Sequence, residues 1–313
     1  MDPLSDVFSL LRVESVLSAR LEVRGPWAMR FSAYQHIKFG GVLEGAFWLW
    51  GDGAQEPTRL EAGDFYLLTR GQPYSTGSDP ALETIDGREI LETHLCADGV
   101  VRYGTEGERM CAAGGRFVFD DDTCDLLLPL LPPLVHIPAA SESAAPLRAV
   151  LELLRLESEA ARPGAPVVAA GLANIVLMQI LRAHLASERR IPGWLGALAD
   201  PRIGSALASM HGDIARQWKV DELASAVAMS RTTFTEQFKA LVGVPPLSYL
   251  IAWRMAVAGS ALRAGNRSLA DIAESVGYGS DAAFNSAFKR ATGTSPGRYR
   301  LLADRHRKTE FRP

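Results

Sequence analysis

The chain has 313 residues, 47% apolar and 22% charged, and a formal net charge of −3, which excludes disorder arising from low hydrophobicity and high net charge. It has no uninterrupted apolar run of about 18 residues, so neither a membrane span nor a membrane partner is expected. Its start lacks the basic and apolar segments of a signal peptide and its 3 scattered cysteines suit neither a disulfide framework nor a zinc finger, so a cytoplasmic location is expected.

Charge is distributed unevenly along the chain. Residues 201–313 carry 16 Lys and Arg against 9 Asp and Glu, whereas residues 1–200 carry 17 against 27. A basic segment on an acidic body indicates that only the C-terminal part binds a polyanion. At about 150 residues per domain, the length predicts two domains.

The first 140 residues have the pattern of a β domain. Short aromatic and aliphatic runs occupy residues 47–50, 65–69, 116–119 and 134–138. Clusters of glycine, aspartate and proline separate these runs and predict turns. Short strands at this spacing are typical of a sandwich or a barrel.

Two helices are predicted between residues 141 and 192. Leucine and valine recur at helical spacing over residues 147–156, and residues 167–187 are apolar on most sides. A helix that is so apolar must be covered by another surface. Packing on the barrel and packing against a second copy of the chain both meet this need, so a homodimer interface is one of two open interpretations. Residues 189–193 are the predicted linker.

Residues 193–313 are predicted to be all helical and contain an internal repeat. Positions 223–228 recur at an offset of 49 residues, and positions 234–249 recur at an offset of 50. The matched residues of the longer stretch are Phe234, Phe238, Lys239, Gly243, Pro246 and Tyr249 with Phe284, Phe288, Lys289, Gly293, Pro296 and Tyr299. The extra residue falls in the turn at residues 278–280. Agreement at this many positions predicts two copies of one structural unit.

Each copy consists of a helix, a tight turn, a second helix and a Gly/Pro stop. The copies span about residues 220–243 and 269–293. A small residue in the first helix, Ala224 in the first copy, lets the second helix approach closely, as in a helix-turn-helix unit. Side chains that accept hydrogen bonds from free helix N–H groups precede the helices. The predicted caps are Asp221, Ser230, Ser268 and Ser280 or Asp281.

Several motifs carry a family resemblance. Residues 230–238 (SRTTFTEQF), 277–284 (GYGSDAAF) and 293–300 (GTSPGRYR) resemble the AraC-type transcription regulators. Residues 59–64 (RLEAGD) and 71–73 (GQP) resemble the cupin-like sensor domain of one large subgroup of that family. The resemblance covers nearly the whole chain.

The resemblance implies an α+β fold, with an N-terminal cupin-like β-barrel followed by helices and a C-terminal all-α domain with two helix-turn-helix units. The implied domains are a sensor barrel, a helical linker or dimerisation region, and a DNA-binding domain: residues 1–140, 141–192 and 193–313. The implied partners are promoter DNA, RNA polymerase, a small-molecule effector and a second copy of the chain. Contact with RNA polymerase would make the protein an activator. No cofactor and no enzymatic activity are implied.

By the same resemblance, the second helix of each unit enters the major groove of DNA by its N-terminal half. The residues implied to face bases are Arg231, Thr232, Thr235 and Glu236 in the first unit and Asp281, Ala282, Asn285 and Ser286 in the second. The residues implied to contact phosphates, which fix register without reading sequence, are Lys239, Lys289, Arg290 and Arg298. Arg231 suits guanine and Asn285 suits adenine. Arg254, on the helix between the units, is predicted to be structural.

The candidate effector-pocket residues of the barrel are His36, Lys38, Trp48, Trp50, Tyr66 and Tyr74. Alternate strand residues point to opposite faces, so only some of these side chains can line the interior. Trp48 and Trp50 share one face of their strand, and Leu49 lies on the other. Each candidate can also be plain barrel core, but a buried Lys38 needs a partner or an anionic ligand.

Two other chemistries compete with a small-molecule effector. An oxidant sensor needs an exposed cysteine of low pKa; Cys111 is the candidate because Arg109 lies close before it, with a buried thiol as the alternative. A cupin metalloenzyme needs clustered histidine and carboxylate ligands. His36, His94 and His136 form no His-x-His pair, so no metal is predicted.

Overall fold

The structure is a computed structural model that describes residues 2–10, 14–17, 20–35, 37–51, 56–118, 128–159, 163–187 and 191–310. The chain divides into two compact units. The β unit comprises Val13–Phe119 and Leu131–Arg189, and the helical unit comprises Met1–Arg12, Asp120–Leu130 and Arg190–Pro313. This grouping differs from three consecutive segments, because an N-terminal helix packs among C-terminal ones.

The β unit contains two sheets. The first has the strands β1 (Glu14–Leu17), β2 (Arg20–Arg24), β4 (Ile37–Glu44), β7 (Phe65–Leu68), β10 (Val100–Tyr103), β11 (Arg109–Val118) and β12 (Leu134–Ile137). The second has β3 (Ala28–Phe31), β5 (Ala46–Gly51), β6 (Thr58–Glu61), β8 (Tyr74–Gly77) and β9 (Ile85–Asp86). The strand orders are β10-β2-β11-β4-β7-β12, with β1 on β11, and β6-β5-β8-β3-β9. The β2–β10 and β3–β9 pairs are parallel.

An apolar core joins the two sheets. Val23, Val42 and Met110 of the first sheet cluster with Met29 and Phe47 of the second. Burial of such side chains is the main favourable contribution to folding. The expected run of short strands is therefore present, and its inner faces form one core.

Three helices of the β unit are described: α2 (Gly87–Thr93), α3 (Ala144–Glu159) and α4 (Ala165–Ser187). α4 lies against α3 and the strands β1, β7 and β12. Its Val176, Leu177 and Ile180 are fully buried, whereas Ile175 stays 46% exposed. Packing on the sheet therefore covers one face of this apolar helix and leaves another in solvent.

The helical unit is built from short helices. They are α1 (Pro3–Leu10), α5 (Gly193–Ala197), α6 (Pro201–Gly212), α7 (Val220–Ala226), α8 (Arg231–Val242), α9 (Pro246–Ala264), α10 (Leu269–Ser275), α11 (Asp281–Thr292) and α12 (Pro296–Glu310). α1 buries Pro3, Leu4 and Val7 and contacts α6 and α9. Among the described helices none alone is long and apolar enough to cross a membrane, although α8 and α9, bent by 51°, pass that test as a pair. The α+β fold class is confirmed.

Candidate nucleic-acid interface and β-unit cavity

Two helix pairs, α7 with α8 and α10 with α11, repeat the same local design. Ser230 and Ser280 accept hydrogen bonds from the N–H groups of Thr233 (3.2 Å) and Ala283 (3.3 Å). Ser268 forms a reciprocal capping box with Asp271. The three serine caps are thus confirmed, and they satisfy helix N–H groups that have no partner within the helix.

The cap predicted at Asp221 is wrong. α7 begins at Val220 after Lys219, so Asp221 already lies in the first turn. Its carboxylate instead accepts a hydrogen bond from Arg231 Nη1 at 3.1 Å, and both side chains are exposed. An exposed pair of this kind contributes little to stability, so Arg231 remains available to a partner.

The second helices of the two pairs have equivalent surfaces. Residues 231–240 and 281–290 show the same order of buried, half-buried and exposed positions throughout. Phe234 and Phe238 are buried in α8, and their repeat partners are buried in α11. Each helix is therefore fixed by two inward phenylalanines and presents its first turn to solvent.

The residues predicted to face bases lie on the first two turns of α8 and α11. All are exposed except the half-buried Thr235 and Asn285. Thr235 Oγ1 donates to the Arg231 carbonyl at 2.9 Å, and Asn285 Nδ2 donates to the Asp281 carbonyl at 2.8 Å. The Thr235 hydroxyl must release its bond to donate to a base, whereas the Asn285 amide keeps a second N–H group that can donate. The predicted phosphate contacts, all exposed, are Lys239, Lys289, Arg290 and Arg298.

The turns of the two helix-turn-helix pairs differ at one repeat position. Ala228 has φ +54° and Gly277, its partner at an offset of 49 residues, has φ +82°. Only glycine adopts this left-handed conformation without a steric penalty. The first turn thus contains strain that the second avoids.

Arg254, on α9, anchors the segment that precedes α7. Its Nε donates to the Ile214 carbonyl at 2.9 Å and its Nη2 to the Arg216 carbonyl at 2.7 Å. Gln217, in the same segment, donates to the carbonyl of Gly277. The side chain of Arg254 is 6% exposed, and its predicted structural role is confirmed.

The β unit contains a cavity of about 710 Å³, including its open mouth. It is lined by Leu21, Trp27, Phe31, Lys38, Phe39, Phe47, Tyr66, Tyr74, Thr76, Leu91, Met110 and residues 112–115. Of the predicted pocket residues, Lys38, Tyr66 and Tyr74 come together here. Trp50 lines a neighbouring cleft of about 450 Å³, a volume that includes space open to solvent. Trp48 lines neither space, and His36 lies outside the described residues.

Strand β5 explains the placement of the tryptophans. It turns Phe47 (3% exposed) and Leu49 (4% exposed) into the core, while Trp48 and Trp50 are half-buried on its other face. Because side chains alternate along a strand, only one of these pairs can point inward. Phe47 is therefore a cavity residue that the sequence interpretation missed.

Lys38 lines the cavity and lies among aromatic rings. Its Nζ is 3.0 Å from Tyr74 Oη and 4.7–5.0 Å from the ring centroids of Phe31, Tyr34 and Tyr74. Burial, with the nearby charge of Arg116, lowers the pKa of Lys38 to about 8. Rings at this distance attract an ammonium group and hold it in the cavity.

His94 and His136 of the β unit make other contacts. His136 Nε2 is 2.9 Å from Asp64 Oδ2, and His94 Nδ1 is 2.8 Å from Thr93 Oγ1. Within the described ranges, no three His, Cys, Asp or Glu side chains lie close enough together to hold a metal ion.

Cys111 lies on β11 and is only 1% exposed. Burial raises the pKa of its thiol, and this effect exceeds the opposing influence of Arg20, whose Nε is 3.0 Å from Sγ, and of Arg109. A thiol that reacts readily with oxidants is exposed and has a low pKa. The environment of Cys111 therefore disfavours redox sensing.

We expect Cys111 to react at least ~10-fold more slowly than Cys96 with iodoacetamide in the native protein, because the thiolate is the reactive form. Cys96 is only half-buried and serves as an internal control. Peptide mass spectrometry after timed labelling measures both rates, and denatured protein gives their intrinsic values. Faster labelling at Cys111 would contradict this prediction.

Both parts of the chain match known protein families. Residues 2–186 match the cupin family model, and residues 223–301 match a helix-turn-helix domain model. A putative AraC-like transcription regulator of Streptomyces lividans is 43% identical over 301 residues, 96% of this chain and 98% of that protein. The HTH-type transcriptional regulator AlkR of Acinetobacter baylyi is 30% identical over 306 residues, 96% of this chain and 99% of that protein. The DNA-binding domain of AdpA, solved in complex with a target DNA, is 32% identical, covering 35% of this chain and 97% of that one with a TM-score of 0.33.

These matches agree with the residues and the fold. The cupin model covers more than half of the chain, and the relatives align along nearly all of it. Both full-length relatives are named as transcription regulators. The chain therefore belongs to the AraC family of DNA-binding transcription regulators, with an N-terminal cupin domain and a C-terminal helix-turn-helix domain.

Proposed function

We propose that this regulator places α8 and α11 in successive major grooves of promoter DNA, about 34 Å apart along the duplex. The observation that supports the proposal is that the two helices have equivalent surfaces. Each helix is capped by a serine and exposes its first turn to solvent. A small molecule bound in the β unit controls this activity. The protein acts in the cytoplasm as a regulator and not as an enzyme.

The two helices contribute differently to recognition. α8 supplies Arg231, which suits a guanine, and Glu236, which can accept from a cytosine amino group. α11 presents Asp281, Ala282 and Ser286 on its exposed face, which offer fewer paired contacts to a base. We infer that α8 supplies most of the sequence specificity, while α11 mainly positions the protein. The phosphate contacts are Lys239, Lys289, Arg290 and Arg298.

A second copy of the chain is the proposed partner of the β unit. Exposed apolar side chains remain on α3 and α4: Leu153, Leu156, Val167, Val168 and Ile175. Covering them in a homodimer would remove apolar surface from water. Sedimentation of the full chain tests this, and a monomer at micromolar concentration would contradict it.

Family likeness extends the proposal to RNA polymerase, and hence to activation.

Replacing Arg231 with alanine is expected to weaken binding to a preferred sequence by about 10–100-fold and to leave binding to random DNA nearly unchanged. Lys289→Ala should weaken both by the same factor and reduce the salt dependence by about one ion. The preferred sequence is first selected from a random library with the full-length protein, and affinities are then measured by fluorescence anisotropy at two salt concentrations.

Asp221→Asn is the matched control, because it breaks the same ion pair while keeping Arg231. It should not weaken binding. An equal loss in Asp221→Asn and Arg231→Ala would mean that only the ion pair matters. Equal loss on both DNAs in Arg231→Ala, or a library that yields no enriched sequence, would overturn the proposed base contact.

A further inference from the structure

Among the described side chains, the ammonium group of Lys38 has hydrogen-bond acceptors for fewer than its three N–H donors. It carries three N–H groups, and Tyr74 Oη accepts from one of them. The rings of Phe31, Tyr34 and Tyr74 attract the charge, and among the described residues no other side-chain oxygen accepts a hydrogen bond from Lys38. Among the described side chains, no carboxylate forms an ion pair with Lys38. The charged neighbour is Arg116, which stands opposite Lys38 in the β4–β11 pairing and has the same sign.

The remainder of the cavity is mostly apolar, with the side chains of Tyr66 and Thr76 as its other polar groups. Trp27, Phe47 and Met110 are all buried and line its wall. Glycine at 114 is required there, because a Cβ at this position would lie 2.5 Å from the Phe39 carbonyl oxygen. The neighbouring Ala112, Ala113 and Gly115 also line the cavity, and side chains this small leave space that larger ones would fill.

The cavity combines the cationic Lys38 with an apolar wall, and this combination determines which class of ligand can bind. An anion would accept hydrogen bonds from the remaining N–H groups of Lys38. It would also supply the negative counter-charge that a half-buried ammonium group needs. A cationic ligand would meet the like charge of Lys38. A sugar would leave most of its hydroxyl groups against Trp27, Phe47 and Met110, without hydrogen-bond partners.

We propose that the cavity binds an organic monoanion, a carboxylate with an aromatic or aliphatic body, whose charged end contacts Lys38 Nζ and whose body packs on Trp27, Phe47 and Met110. This inference rests on the proposed function, since it names the chemical class of the effector. Among the residues singled out from the sequence, Lys38 thereby becomes the one that selects for charge.

Isothermal titration of the full-length protein with octanoate and 2-naphthoate, and with the neutral amides of both, tests the proposal. At pH 7 we expect at least one carboxylate to bind at least ~10-fold more tightly than its amide, which matches it in shape but lacks the charge. Lys38→Met should remove this preference and leave amide binding within about twofold. Arg59→Met is the matched control, because Arg59 is an exposed cation outside the cavity, and it should retain the preference.

The wild-type protein provides a second test that is independent of any variant's folding. Lys38 loses its proton as the pH rises above about 8, so carboxylate affinity should fall between pH 7 and pH 10 while amide affinity stays constant. The other polar groups facing Lys38 keep their state, because burial raises the pKa of Tyr34, Tyr66 and Tyr74 and arginine remains protonated.

The outcomes separate this inference from the proposed function. Equal binding of carboxylate and amide, a preference that survives in Lys38→Met, or no binding of either carboxylate would overturn the inference. Binding to the library-selected DNA is measured on the same samples. If that DNA is bound while the carboxylates are not, only the ligand class is wrong, whereas loss of specific DNA binding would overturn the proposed function.

Discussion

Replacing Gly277 with alanine is expected to lower the free energy of unfolding of the helical unit by about 3 kcal/mol, from left-handed strain and overpacking together. Gly277 has φ +82°, and an added Cβ would overlap the Ala215 carbonyl oxygen and lie 2.8 Å from Arg254 Nη2. The overlap involves backbone, so relief requires displacement of the segment that Arg254 holds. Urea unfolding of the full-length variant, followed by tryptophan fluorescence, measures the loss.

Ala228→Gly is the reciprocal control at the equivalent turn of the first unit. Relief of the strained φ of Ala228 is offset by the greater freedom of glycine in the unfolded chain, so stability should stay within about 1 kcal/mol of wild type. A comparable loss in both variants would mean that the turns are simply sensitive to any substitution. A Gly277→Ala protein as stable as wild type would contradict the steric argument.

Arg254→Met is expected to destabilise the helical unit by about 2 kcal/mol and to weaken specific DNA binding. Methionine replaces the aliphatic stem but leaves the carbonyls of Ile214 and Arg216 without their donors. This segment also contacts the turn of the second unit through Gln217, so its loosening should disturb the relative placement of α8 and α11. Urea unfolding and anisotropy on the selected DNA measure the two effects.

Arg254→Lys separates geometry from charge. A lysine keeps the positive charge but cannot donate from two fixed nitrogens to two carbonyls, so it should restore less than half of the lost stability. Full restoration would show that charge alone is required at this position. Wild-type stability and DNA binding in Arg254→Met would show that the bonds to the segment are dispensable.

Local signals accounted for much of the helical unit. The serine caps were predictable because a cap involves a side chain and an N–H group three residues apart, both visible in the sequence. The prediction of a cap at Asp221 was wrong because capping depends on where the chain enters the helix. The N-cap position of α7 is occupied by Lys219. The repeat predicted the two equivalent surfaces, since inward phenylalanines recur at an offset of 50 residues.

The cavity was harder to predict because it depends on contacts between strands distant in sequence. Alternation shows that Trp48 and Trp50 share a face, but it does not show which face is inside. Tyr74 contacts Lys38 from β8, 36 residues further along the chain, and this contact has no local signature. Lys38 could be singled out because a buried lysine needs a partner or an anionic ligand whichever strands surround it.

The packing of α1 on α6 and α9 has a consequence for the synthesis of the protein. Leu4 and Val7 leave the ribosome about 190 residues before α6 begins at Pro201. During that interval the apolar face of α1 has no native partner, and a chain of this kind is exposed to non-native association. Its docking closes a long loop, which slows folding. The helical unit therefore becomes complete only when an early segment of the chain and its late helices meet.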